Sequence, residues 1–166
     1  MRYAILTTVL LVVATVLTIG QTEASVPEQV TMCELYKNPE AHAGKMVQVR
    51  ASVTHWDSQH FWLDDFEASG KCDAYMRLVT VFPHDVSPRP SFEFARDNSW
   101  QQFSTDIRSK SVEAAFVGIF QPYFVWRDHK RIPVADDQES EKKQKYDGRL
   151  VLLRVSGIVA RPVFRK

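Results

Sequence analysis

Residues 46–54 read MVQVRASVT, and their alternation decides the fold class. Val47, Val49, Ala51 and Val53 fall on one face, with Gln48, Arg50 and Ser52 on the other. A period of two predicts a β-strand with one buried face. Upstream, Thr31-Met32-Cys33-Glu34 has the form of a capping box. A short helix is predicted to start there, with Leu35 and Tyr36 turned inward. Asn38-Pro39 interrupts that helix. Pro39 suits the first position of one more turn, and Gly44 suits a stop.

Downstream, Asp57-Ser58 marks a turn and His60–Asp64 a second strand. Ala74–Phe82, rich in β-branched and aromatic residues, reads as a third. Pro83–Pro90 holds three prolines and reads as a loop. In Ser91–Arg108, residues Phe92, Ala95, Ser99, Phe103 and Ile107 recur at steps of three and four, with Trp100 beside them. That spacing predicts an amphipathic helix with Ser91 as its cap. Val112–Phe124 is a long apolar strand containing Gly118, and Leu150–Ala160 a last strand containing Gly157. Residues 136–147 read as a mobile loop, because DDQESEKKQK at 136–145 offers almost nothing to bury.

The order is helix, three strands, helix, two strands. Five strands with a helix between the third and fourth is the order of an OB-fold, a small Greek-key barrel. Glycine inside a strand marks a sharp barrel corner, which Gly118 and Gly157 suit. An antiparallel α+β sandwich accommodates the same order nearly as well. The expectation is mainly β: a five-stranded OB-like Greek-key barrel with a short N-terminal helix and a helix between strands 3 and 4. It forms a single domain over residues 25–166. The 21 basic and 20 acidic residues leave a net charge of +1, which does not favour nucleic acid as the partner. A hydrophobic share of 45% excludes wholesale disorder.

Met1-Arg2-Tyr3 is a short basic start, and residues 4–20 are apolar or Thr throughout, ending in Gly20. Thr22 and Ala24 follow at the spacing of a cleavage site. This layout predicts a signal peptide over residues 1–24 and an exported protein, periplasmic or extracellular, with no membrane span after cleavage. The rival reading is an uncleaved anchor, for which 4–20 is at the short limit. The chain has two cysteines, Cys33 and Cys72. In an oxidising compartment they are expected to pair as a structural disulfide. The loop-entropy model assigns such a bridge roughly 4 kcal/mol.

Cys33-Glu34-Leu35, Asn38-Pro39 and Gly44-Lys45-Met46-Val47 together resemble a pattern in small exported bacterial OB-fold proteins, most of them uncharacterised. In that pattern a Cys-x-Leu helix leads through Asn-Pro and Gly-Lys-x-Val into the first barrel strand. A second cysteine follows the Leu-x-Asp of strand two, as Leu63-Asp64-Asp65 precede Cys72 here. His42 and Ala51 depart from it, since an aromatic and a glycine are commoner there. The resemblance spans residues 31–72. It implies the fold and an exported location, and it carries no catalytic residues.

Chemistry has few footholds. His55, Asp57, His60 and Asp64 cluster around one predicted hairpin without tight metal-ligand spacing, so no metal and no cofactor is expected. Asp64-Asp65 and Asp136-Asp137 are adjacent pairs, and neighbours on a strand point to opposite faces. No G-x-S-x-G is present, so no catalytic residue is assigned. Aromatic and basic residues remain as a ligand-binding set: Trp56, Trp62, Tyr75, Arg77, Tyr123, Trp126 and Arg127. OB-folds stack bases or sugar rings on exposed aromatics. Arg50, Lys130 and Arg131 are further basic candidates, and ordinary packing is the competing role for the rings. The expected function is a non-enzymatic binding or interaction module for a protein partner or an oligomeric ligand. The alternatives are an exported hydrolase acting on nucleic acid or phosphoesters, and an accessory subunit of an envelope complex.

Overall fold

The alternation at 46–54 is realised as a long strand whose Val47, Val49 and Ala51 are fully buried. The structure is a computed structural model and describes residues 26–56, 60–64, 76–134 and 146–162. The expected signal peptide, the turn at 57–58, Cys72, Tyr75 and the polar run 136–145 lie outside the described residues.

Along the chain come β1 (Glu28–Gln29), α1 (Met32–Lys37), α2 (Pro39–His42), β2 (Met46–Trp56), β3 (Phe61–Asp64) and β4 (Arg77–Val81). A single 3₁₀ turn (Pro83–Asp85) and α3 (Asn98–Asp106) follow, then β5 (Lys110–Pro122), β6 (Phe124–Arg127), β7 (Lys130–Pro133) and β8 (Gly148–Pro162). β2, β3 and β4 form an antiparallel meander. β4 pairs in parallel with β8, β8 antiparallel with β5, and β5 antiparallel with β2. The sheet closes on itself as a five-stranded barrel with the OB order. The β2–β5 pairing, which runs from Met46↔Ile119 to Val53↔Val112, excludes the open sandwich.

Thr31 caps α1 as the capping box requires. Its Oγ1 accepts from Glu34 N at 3.1 Å, and Glu34 Oε2 accepts from Thr31 N at 2.7 Å. The barrel is filled by Phe61, Leu63, Leu78, Phe116, Phe120, Leu150 and Leu152, all fully buried. Each stabilises the fold by about 1.5–3 kcal/mol relative to exposure. Phe103 of α3 enters the same core, with ring centroids 5.1 Å from Phe61 and 5.7 Å from Phe116. Gly118 sits at a register shift against β8, where a Cβ would lie 2.3 Å from the Val151 carbonyl oxygen. Gly157, at φ +58°, lies at the other register shift and supplies the left-handed residue of a bulge. Both glycines thus occupy the corners expected of them.

Three expectations need correction. The helix expected from Ser91 begins at Asn98, with Asp97 as its cap, accepting from Trp100 N at 3.0 Å. The preceding chain has other work: Ala95 N donates to Leu153 O at 2.8 Å, along β8 beyond its pairing with β4. Phe94 packs against Phe82 and Trp100 rather than on a helix face. The strand expected over Val112–Phe124 ends at Pro122, and Phe124 starts a separate hairpin, β6–β7. Finally, residues 146–147 are no part of a mobile loop. Tyr146 and Asp147 are buried, and Asp147 N donates to Arg77 O at 2.9 Å.

Candidate functional site

The β6–β7 hairpin connects β5 to β8 and turns through two residues, Asp128 and His129. Both have positive φ, 50° and 61°. Two-residue hairpin loops of this hand favour Asn-Gly, because a β-carbon crowds the following carbonyl. Holding a histidine there costs roughly 1–2 kcal/mol.

Contacts at its base fix the hairpin. Trp126 Nε1 donates to the Tyr36 carbonyl at 2.9 Å. The rings of Tyr36, Phe124 and Trp126 meet pairwise at centroid distances of 5.4–5.6 Å. Arg127 forks onto Glu40 of α2, with Nη2 2.6 Å from Oε1 and Nη1 bonded to Oε2. That fork holds the Glu40 carboxyl below its usual range. Arg131 lies over the Phe124 ring, 4.4 Å from its centroid, and donates to Asp147 Oδ1 at 2.8 Å. Asp147 Oδ2 accepts from Arg77 N at 2.7 Å, tying β7 to the end of β4. Burial raises the Asp147 carboxyl above its ordinary value, against the opposing Arg77 amide and the charges of Arg131 and Arg77.

Between α1 and the hairpin lies an open cleft of about 610 Å³, lined by Tyr36, Lys37, Trp126, Asp128 and His129. It offers two aromatic rings, an ammonium, a carboxylate and an imidazole. Such a set can stack a planar or ring-shaped group and hydrogen-bond its polar rim.

The seven expected ligand-binding residues divide. Trp62, Arg77 and Tyr123 belong to the outer wall of β3–β4 and the connection that covers it. There Trp62 and Val79 are paired in register, and Tyr123 and Tyr146 pack over them. Trp62 is half-buried, 5.5 Å from the Tyr146 ring. Tyr123 is buried at 9% exposure, so it packs this wall and is no open stacking platform. Trp126 and Arg127 belong to the hairpin, with Trp126 lining the cleft and Arg127 spent on Glu40. Trp56 ends β2, and Tyr75 lies outside the described residues.

Sequence reasoning missed Lys37, Asp128 and His129 as cleft residues, and took Tyr36 only for packing. The available signal was Trp126-Arg127 and Lys130-Arg131 flanking a two-residue Asp-His step. Among the described residues no group of three or more His, Cys, Asp or Glu is placed to hold a metal ion. Cys33 is half-buried on α1 and is not a free thiol. Its expected partner Cys72 lies outside the described residues. No described helix is long and apolar enough to cross a membrane.

No protein-family model matches the chain, and no curated protein matches it. Among solved structures it is similar to a protein described as an aspartyl-tRNA synthetase from Leishmania major Friedlin, at 13% identity and a TM-score of 0.34. That likeness covers 89% of this chain and 23% of the other, so the chain spans about a quarter of that protein's length. The class of the protein rests on strand order and closure: a five-stranded OB-like barrel carrying a hairpin in its last connection.

Proposed function

We propose that this protein is an exported, non-enzymatic OB-like binding module that takes its ligand in the cleft between α1 and the β6–β7 hairpin. One observation carries the reading. The turn that rims the cleft keeps two β-carbon-bearing residues left-handed, where Asn-Gly would relieve the strain. Strain retained at a cleft is a mark of a functional constraint. Supporting the exported location are the signal-like residues 1–24, the resemblance over 31–72 and a Cys33 that is not a free thiol. A Cys33–Cys72 bridge belongs to the same proposal.

The test replaces Asp128-His129 by Asn-Gly. The double variant is expected to be more stable by about 1 kcal/mol, because the turn is relieved. Oligosaccharides and single-stranded oligonucleotides serve as probes, read by tryptophan fluorescence. At least one class is expected to quench the wild type saturably, with the response lost in the double variant and in Trp126→Leu. No quenching by any probe, or quenching that both variants keep, would remove the cleft from consideration. Phosphoester turnover lost in Asp64→Asn would favour the hydrolase instead.

A further inference from the structure

The short strand β1 covers an edge. β2 pairs with β5 from Met46 to Val53 along one side, and with β3 only from Ser52 onward along the other. β1 fills part of the stretch that β3 leaves open, pairing Glu28 with Val47 and Gln29 with Gln48. Uncovered, that stretch presents unpaired backbone groups, a ready template for another chain. Little holds the cover down. Val30 N donates to Gln48 O at 3.1 Å, the Val30 side chain is buried, and the Gln48 and Gln29 side chains are bonded at the surface.

A histidine meets the first residue of this cover. His42 ends α2, and its side chain is 12% exposed. Its Nδ1 is shut off from solvent and has no hydrogen-bond partner among the described residues. Glu28 Oε1 lies 3.4 Å from that nitrogen, and Glu28 Oε2 faces Lys45 Nζ at 3.8 Å. Glu34 of α1 is within electrostatic reach of the ring, with its Oε2 bonded to Thr31. Glu40, two residues earlier on α2, is neutralised by Arg127 of β6. The ring therefore faces two carboxylates, Glu28 and Glu34, with Lys45 as the opposing cation. A neutral imidazole holds one proton, on either nitrogen. With that proton on Nε2, a lone pair on Nδ1 meets the carboxylate and the contact repels. With it on Nδ1, the contact is a long, neutral one. Protonation places a hydrogen on both nitrogens and a charge on the ring. The same contact then becomes a charge-assisted hydrogen bond, roughly twice as strong as a neutral one.

We infer that His42 and Glu28 form an acid-tightened clasp that governs how firmly β1 covers the edge of β2. On acidification His42 takes a proton from solvent, its Nδ1–H bonds Glu28 Oε1, and β1 is held down. As the pH rises the proton leaves, and the cover is left to its backbone bond, to Val30 and to Lys45. The sign follows from linkage: the closed strand binds the proton more tightly than the open one. Closure therefore strengthens as the pH falls through the imidazole range, from about pH 8 to about pH 5, where carboxylates stay ionised. The clasp does not depend on the hairpin cleft or its ligand.

Amide hydrogen exchange at Val30, corrected for the intrinsic pH dependence of exchange, tests the clasp. In wild type the protection factor is expected to rise about two- to fourfold between about pH 8 and about pH 5.5. The Ala95 amide, bonded to Leu153 O away from β1, is the control and should behave alike in every variant. His42→Gln and Glu28→Gln should each abolish the rise at Val30. Glu28 is exposed, so Glu28→Gln keeps the test decisive even where His42→Gln disturbs α2. A flat Val30 profile in wild type overturns the inference. So does a rise that survives Glu28→Gln, which would make Glu34 the partner of His42. A rise that survives His42→Gln overturns it too, since another group would then be titrating.

Discussion

Asp147 is buried where the barrel meets the hairpin, and its two carboxyl oxygens face different elements. One accepts from the Arg77 amide of β4 and the other from Arg131 of β7. Desolvation dominates, so the folded state raises the carboxyl above the ordinary aspartate value of 3.8. The folded protein therefore takes up this proton before the unfolded chain does. The penalty of the buried charge is full above the raised value, and it is relieved as the pH falls towards 3.8. Asp147→Asn removes the titration. The stability of wild type relative to Asp147→Asn is expected to increase on acidification through that window, measured by urea unfolding at several pH values. A relative decrease would show that the pairing with Arg131 outweighs desolvation. None of this was legible in the sequence. Asp147 adjoins a polar run that promises only solvent, and its burial comes from β4 lying beside it in the closed barrel.

At the scale of elements, α3 is short but holds the core through one residue. Phe103 is 1% exposed and lies among Phe61, Phe116 and Trp100. Phe103→Ala is expected to cost about 3–5 kcal/mol by chemical denaturation, the usual cost of emptying an aromatic site in a core. Trp100→Ala, at a half-buried position, should cost less. Equal losses would mean that the helix is held by its exposed flank instead. The periodicity of Phe103 and Ile107 was legible, and so was the capping box of α1, because these signals are local. The helix start was not. Phe92 and Ala95 extend the same spacing by coincidence, while Asp97 and the Leu153 carbonyl compete for that stretch of backbone. The β6–β7 hairpin escaped notice because its turn lacks the glycine that announces such loops.

For the molecule as a whole, the proposed Cys33–Cys72 bridge would fasten α1 to the connection between β3 and β4. Apart from such a bridge, this six-residue helix is held by buried Met32 and Leu35, by its cap, and by Tyr36, whose carbonyl accepts from Trp126 and whose ring packs on Phe124. Cys33→Ser is expected to lower stability by about 2–4 kcal/mol, with the far-ultraviolet dichroism of the barrel retained. Two free thiols titrated in denatured, exported protein would exclude the bridge. The barrel should survive its loss, since its strands close through β2–β5 backbone pairing rather than through the helix.

Alternation at residues 46–54, the Thr31–Glu34 cap, the strand order and the two strand glycines are properties of neighbours along the chain, and the sequence by itself determined them. Side-chain period and backbone conformation are set within a few residues, so they can be read there. Closure of β5 onto β2, burial of Tyr123 and Asp147, and the meeting of Tyr36 with Trp126 join residues far apart along the chain. So does the pairing of Arg50 with Glu113, 63 positions away. Only the tertiary structure decided these, because a residue's exposure and the field around its charge depend on which distant strand lies against it. The aromatic and basic residues expected to share one surface were therefore divided between a packed wall and an open cleft.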